Sequence, residues 1–243
     1  MIGLVAGFGG GLMSLGGGTL IVPLLTGWAK LSQLDARGTA LLVSIISAFT
    51  GTIVYALDAQ VNWWVVLWTG SAALVTAPVA VHVSRHWSTG VLRSAFGIVA
   101  SMGGILLIIK GMLLSHGFVP APLVTPFLIC VGVLTGAVAG VVGISGGPVL
   151  APLFVFGLGM PQQLAQGCSL AARLPSSISG SMQNFRHNNI RLRMLPGLAV
   201  GAVGGAVVGS KLALLLPEDT LRTLFGVLLI ILGVFYSWSG WRR

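Results

Sequence analysis

The stretch Ser14-Leu15-Gly16-Gly17-Gly18-Thr19-Leu20-Ile21-Val22-Pro23-Leu24 interrupts a chain that otherwise reads as apolar helix. The interruption returns as Gly143-Ile144-Ser145-Gly146-Gly147-Pro148-Val149-Leu150-Ala151-Pro152-Leu153. Ahead of the first break, Met1–Leu15 would reach only about 22 Å as a helix, too short to cross a hydrocarbon core of about 30 Å. A second short apolar piece, Thr19–Trp28, follows. The other copy has Gly132–Ile144 before its break and Val149–Leu158 after it. A short helix, a glycine break and another short helix describe a re-entrant hairpin or a broken helix. Irregular backbone at membrane depth is tolerated only inside protein or along a wet cavity. The two breaks therefore point to the interior of a polytopic bundle.

The composition around them agrees. Of 243 residues, 55% are hydrophobic and 7% charged, where a soluble domain carries about 25% charge. This excludes a soluble enzyme, a nucleic-acid-binding domain and a disordered chain, and leaves an all-α membrane bundle. The formal charge of +9, from 13 basic and 4 acidic residues, reads as loop charge facing an anionic leaflet or as attraction for anions. Apolar runs of spanning length are Ala36–Leu57, Trp63–Val83, Val91–Leu114, Leu123–Val142, Leu164–Phe185, Met194–Leu216 and Leu221–Trp238. Trp63, Trp64, Trp87, Trp238 and Trp241 lie near their ends, as an aromatic belt requires. The N-terminus lacks a basic n-region and is expected to be the first membrane element rather than a cleaved leader.

Shifting the chain by 129 residues aligns its halves without a gap. Gly3, Gly7 and Gly11 fall on Gly132, Gly136 and Gly140, and Gly17, Gly18, Pro23 and Leu24 on Gly146, Gly147, Pro152 and Leu153. Leu92-Arg93 and Phe96-Gly97 fall on Leu221-Arg222 and Phe225-Gly226. The chain thus divides into a first repeat, 1–115, and a second, 116–243, within one transmembrane domain. Basic residues fall on opposite members of equivalent loops. Lys30, Arg37, Arg85 and Arg93 mark the first and third loops of repeat one, whereas Arg186, Arg191 and Arg193 mark the second loop of repeat two, and Lys211 and Arg222 on its third loop are offset by Glu218 and Asp219. The positive-inside rule then predicts inverted repeats, each a glycine-broken hairpin followed by three spanning helices. A parallel duplication with eight plain spans is the alternative.

Paired breaks in an inverted repeat are the sequence pointer to a central binding site. Each break frees backbone N–H groups at the start of the following half-helix, and two such N-termini make an anion site without a charged side chain. The candidate residues are Ser14, Gly16, Gly17, Gly18 and Thr19 from the first break and Ser145, Gly146 and Gly147 from the second, with Pro148 in a first turn where its missing N–H costs nothing. The glycines of Gly3/Gly7/Gly11, Gly132/Gly136/Gly140 and Gly201/Gly205/Gly209 read instead as close-packing seams. The run Leu164–Phe185 adds Ser169, Arg173 and Gln183, and its repeat equivalent adds Ser47. An arginine at this depth costs about 2.5–3.5 kcal/mol on insertion scales. Arg173 is expected to pair with a carbonyl, to snorkel to a wet face, or to meet a substrate anion. Single serines and threonines are equally satisfied by their own helix carbonyls. The four acids, Asp35, Asp58, Glu218 and Asp219, read as loop or helix-end residues, which argues against a carboxylate proton relay or sodium site. No metal spacing, cofactor motif or Walker A sequence is present. Cys168 and Cys130 read as packed residues; a thiol-dependent membrane enzyme using Cys168 is the competing class.

The two glycine breaks with their Pro-Leu pairs, and the duplication around them, resemble the sulfite exporter TauE/SafE family over essentially the whole chain. The second copy departs from the first where Ser145 stands for Gly16 and Pro148 for Thr19. The resemblance implies a multi-pass bacterial inner-membrane transporter of small sulfur-containing anions such as sulfite, thiosulfate or an organosulfonate. Export past the two hairpin tips is the expected mode, with a gated anion channel as the alternative. No cofactor or nucleic acid is expected; lipid surrounds the bundle, and the absence of a large soluble domain leaves room for a homodimer.

Overall fold

The computed structural model describes residues 1–14, 16–27, 30–83, 89–113, 117–142, 146–186 and 190–241. All regular structure in them is helical: α1 (Ile2–Met13), α2 (Gly16–Gly27), α3 (Gln33–Leu57), α4 (Trp63–Val83), α5 (Thr89–Leu113), α6 (Val124–Val142), α7 (Gly147–Leu158), α8 (Gln162–Ala172), α9 (Leu174–Arg186), α10 (Leu195–Leu215) and α11 (Glu218–Trp241). Five stretches among the described residues are long and apolar enough to cross a membrane, namely Gly38–Leu57, Trp63–Ala80, Ala121–Ala139, Leu192–Leu215 and Glu218–Trp238. The molecule is a multi-pass helical membrane protein. Large apolar side chains such as Phe49, Ile53, Leu67, Val75, Ile98 and Ile231 stay exposed on the bundle's outer surface, where lipid rather than water is the solvent.

The helices end where the sequence changes chemistry. Ser32 caps α3, its hydroxyl accepting the Asp35 N–H at 3.2 Å. Asn62 accepts the N–H groups of Trp64 and Val65 at the start of α4. Two expectations need correction. The run Leu164–Phe185 is not one span: it divides at Arg173 into α8 and α9. Pro175 is the cause, since it has no N–H for the Ala171 carbonyl and its ring crowds that carbonyl. Gly132–Ile144 is not a separate short helix, because its described part is the later portion of the continuous α6.

Helix pairs 129 residues apart in the chain pack alike. Helix α1 lies against α10, and its repeat equivalent α6 lies against α4, the equivalent of α10. A Cβ at Gly3 would strike the Leu198 carbonyl, and one at Gly132 would strike the Thr69 carbonyl. Gly7 meets Ala202 and Gly136 meets Ala73 in the same way. Each residue here is 129 positions from its counterpart. Helices α5 and α11, the last of each repeat, pack on one another through Gly97 against Gly233 and Gly104 against Gly226. These glycines bring helix backbones together, as the seam reading requires.

Two sets of loops gather at opposite ends of the spanning helices. At the start of α3, Asp35 receives the Arg191 guanidinium at 2.8 Å, and the Thr39 hydroxyl accepts the Arg191 backbone N–H at 3.1 Å. Arg191, with help from Ser32, holds the Asp35 carboxyl below the usual carboxylate range. Around the far end of α3, Gln60 lies against Gly167, and the Asn62 N–H reaches Cys168 Sγ at 3.2 Å. There too the Gln162 N–H donates to Glu218 Oε1 at 3.3 Å and the Gln163 amide to the Leu216 carbonyl at 3.1 Å.

Helix α7 is largely enclosed by its neighbours. Gly147, Pro148, Val149, Leu150, Ala151, Pro152, Phe154, Val155 and Gly157 are all buried. Its Leu150 and Phe154 share a core with Val65 of α4, Leu107 of α5, Leu128 of α6, Ala172 of α8 and Phe225 of α11. A second core of Ala6, Ile21, Leu25, Ala36 and Ala40 seats α2 against α1 and α3.

Candidate functional site

The first break is made by Ser14. Its backbone takes the left-handed conformation (φ 46°, ψ 19°) and stops α1 inside the protein, with the residue fully buried. A helix end leaves its last carbonyls without intrahelical donors, and they carry roughly half a negative charge. Here the protein supplies donors from far along the chain. Arg173 Nη1 donates to the Ser14 carbonyl at 3.2 Å, and the Tyr55 hydroxyl, whose one proton is shared with Gln166 Oε1 at 2.8 Å, lies 3.3 Å from the Gly11 carbonyl. Of the three readings of Arg173, pairing with a carbonyl is the one this contact realises. A hydrogen bond to a charged group contributes about 1.5–3 kcal/mol, and the α1 terminus adds up to about 2 kcal/mol for a cation at a partly buried helix end.

The second break meets the first at this point. Gly146 precedes α7, whose first residue Gly147 lies so close to Ser14 that a Cβ would strike its carbonyl and stand 3.1 Å from Arg173 Nη1. The Ser169 hydroxyl donates to the Gly147 carbonyl at 3.4 Å. Ser14, Gly147, Ser169 and Arg173 therefore form one buried constellation. It joins the end of α1, the start of α7 and the α8–α9 junction. Arg173 lies eleven residues along from Gln162, so about 16 Å from the aqueous end of α8, or half the hydrocarbon thickness. The four acids stay at helix ends: Asp35 in the first turn of α3, Asp58 after its last, and Glu218 and Asp219 in the first turn of α11. The constellation is cationic.

The other expected residues distribute as follows. Gly16, Gly17, Gly18 and Thr19 form the first turn of α2 rather than a loop, and their side-chain surroundings lie outside the described residues. Ser145 lies outside the described residues altogether, and Gln183 is described only as part of α9. Ser47 is buried and donates to the Ser44 carbonyl at 3.1 Å, the self-satisfied arrangement of a helix serine. Ser176 likewise donates to the Arg173 carbonyl at 2.9 Å. Cys168 is buried against Asn62, and Cys130 is exposed on α6. Among the described residues, no group of His, Cys, Asp or Glu is arranged to hold a metal ion.

Three residues escaped the sequence reading. Gln162, Gln166 and Tyr55 are fully buried. The Tyr55 hydroxyl donates to Gln166 Oε1 at 2.8 Å, while Gln166 Nε2 and both amide atoms of Gln162 have no partner among the described residues. An unmet buried polar group costs about 1–3 kcal/mol, so their retention calls for an explanation. The available signal was periodicity: positions 162, 166, 169 and 173 repeat at helical spacing and are all polar.

A polytopic helical bundle with a buried, cationic, carboxylate-free centre between two helix breaks belongs to the class of membrane transport proteins. The comparisons narrow this. Residues 1–107 and 128–243 match the family model for the sulfite exporter TauE/SafE, and the chain belongs to that family. A "probable membrane transporter protein" of Xylella fastidiosa (strain Temecula1) is 27% identical over 251 residues, covering 98% of this chain and 94% of the relative. The "probable membrane transporter protein YunE" of Bacillus subtilis (strain 168) is 23% identical over 269 residues, covering 99% and 96%. A "probable membrane transporter protein" of Methanocaldococcus jannaschii is 23% identical over 252 residues, covering 97% and 92%. No solved structure matches the chain.

Proposed function

We propose that this protein exports small sulfur-containing oxyanions, such as sulfite, thiosulfate or an organosulfonate, across the bacterial inner membrane. The substrate passes the constellation of Ser14, Gly147, Ser169 and Arg173. The observation that carries the reading is the burial of the Arg173 guanidinium where the two breaks meet, with every carboxylate of the chain at a helix end. The sulfur class rests on the family. In this reading α1–α2, and the later part of α6 with α7, are broken elements whose breaks meet inside the membrane, and the repeats are inverted in the membrane. The meeting of Asp35 with Arg191 at one end, and of Gln162 with Glu218 at the other, supports that arrangement, because Asp35 and Gln162 open equivalent helices. The basic loops then face the cytoplasm. The inside-negative potential favours anion exit by about 2.3 kcal/mol per charge per 100 mV, so export proceeds without a coupling ion.

The test is thermal stabilisation of the purified protein by sulfite, thiosulfate, sulfoacetate, taurine, sulfate and chloride. A ligand binding only the native state adds RT ln(1 + [L]/Kd), about 2.7 kcal/mol at a hundredfold excess over Kd. Stabilisation by one or more sulfur anions, weakened in Arg173→Gln and Ser169→Ala, is the expected result. Equal stabilisation of all three proteins would move the site elsewhere, and the same response to chloride would remove the sulfur specificity.

A further inference from the structure

Helix α8 turns a polar row inward. Gln162, Gln166, Ser169 and Arg173 follow one another at steps of four, three and four residues, and all are fully buried. The row begins at an aqueous end, where Gln162 N–H meets Glu218, a side chain 43% exposed. It ends at Arg173, about 16 Å away. Midway, Tyr55 anchors Gln166 by its carbonyl oxygen and leaves the Nε2 donors unused; Gln162 has neither its donor nor its acceptor matched among the described residues. The Ser210 hydroxyl, also buried and unmatched among the described residues, stands beside Gly11 on the same stretch of α1 that Tyr55 contacts. Two amide donors, one amide acceptor and a hydroxyl are thus gathered between the rim and the centre without a fixed charge.

We propose that Gln162, Gln166 and Tyr55 form a second oxyanion station, charge-free, between Arg173 and the aqueous end marked by Glu218. This rests on the transport reading of the Arg173 centre. The amide N–H groups donate to the oxygens of the anion, and Gln162 Oε1 accepts the O–H of a singly protonated oxyanion such as hydrogensulfite. Tyr55 holds Gln166 in the orientation that presents its donors. A station of neutral donors suits an ion that has to move on, because conduction requires sites that bind weakly enough to release. The repeat reinforces the contrast: Gln33 stands at the position equivalent to Gln162, and Arg37 at that of Gln166.

The test places single cysteines at Gln162, Gln166 and, as a control on the apolar side of α8, Ala172, in a Cys130→Ala, Cys168→Ser background reconstituted into liposomes. The probes are the anionic sulfonatoethyl and the cationic trimethylammonioethyl methanethiosulfonates, each normalised to its rate with a free thiol. At Gln162→Cys and Gln166→Cys the anionic reagent should react at least tenfold faster than at Ala172→Cys, and faster than the cationic one. Rates equal to the Ala172→Cys control, or a preference for the cation, would overturn the station. In parallel, Gln166→Leu should lower sulfite flux at least tenfold while sulfite still stabilises the protein through the Arg173 centre. Unchanged flux would also overturn the proposal. If the wild type carries no sulfite yet both cysteines label with anion preference, the station stands as an anion route and the sulfur-anion reading falls.

Discussion

Arg173 answers a need created 159 residues away, where α1 ends inside the protein and its last carbonyls lack donors. The same guanidinium lies beside the start of α7, so one side chain ties both breaks together. Arg173→Gln should keep the fold, because an amide still donates to the Ser14 carbonyl, but reduce sulfite affinity at least tenfold; Arg173→Lys, with charge but no fork, should fall between. Titration of the thermal shift against sulfite concentration separates the three proteins. Ser14→Ala provides the complementary case. The Ser14 hydroxyl is buried with no partner among the described residues. Its loss should leave the melting temperature unchanged or slightly raised, by about 1 kcal/mol at most. A hydroxyl that serves the anion will show instead as weaker sulfite binding in the same titration.

Among the helices, glycine separates two uses that the sequence alone presents as one. Gly7 and Gly136 press on the backbones of Ala202 and Ala73, whereas a Cβ at Gly197 or Gly204 of α10 would meet nothing within 4 Å. Gly7→Val and Gly136→Val should each destabilise by about 2 kcal/mol or more, because rigid backbone has to move aside. Their equivalence by repeat predicts losses of similar size. Gly204→Ala should stabilise by about 0.5–1 kcal/mol through helix propensity alone. Melting temperatures in detergent check all three, and a Gly7→Val protein as stable as wild type would contradict the close packing of α1 on α10.

Across the whole molecule, the two ends of the bundle carry different chemistry. Ser32 and Pro161 precede α3 and α8 at equivalent positions, and both are exposed. With inverted repeats, a cysteine at Ser32 reacts with an impermeant thiol reagent from the cytoplasmic side and one at Pro161 from the periplasmic side; reaction of both from one side would establish a parallel duplication. The Asp35–Arg191 bridge joins the two repeats at the basic end. Because Arg191 lowers the Asp35 pKa in the fold, the contribution of the bridge is complete above the unfolded carboxylate value of about 3.9 and disappears as pH falls through the lower, folded one. The melting temperature of wild type should exceed that of Asp35→Asn at pH 7, and the gap should close below about pH 4.

Apolar run lengths, the 129-residue register and the two glycine breaks were legible without coordinates, because hydrophobicity and repetition are properties of the chain itself, summed over a window. Pro175 is visible in the sequence as well, but the apolar run around it masks the division of Leu164–Phe185 that it causes. The partners were not legible. Arg173 had three possible fates until the fold brought the end of α1 to the α8–α9 junction, with the Ser14 carbonyl 3.2 Å from its guanidinium. Gln166 and Tyr55 are 111 residues apart, and nothing in either segment marks the other. The apolar pattern determined that this is a multi-pass membrane bundle, and the glycine breaks marked where two of its elements are interrupted. Only the tertiary structure decided which polar groups meet in its interior, because a hydrogen bond depends on the relative placement of helices to within a few tenths of an ångström, and local sequence does not encode that placement.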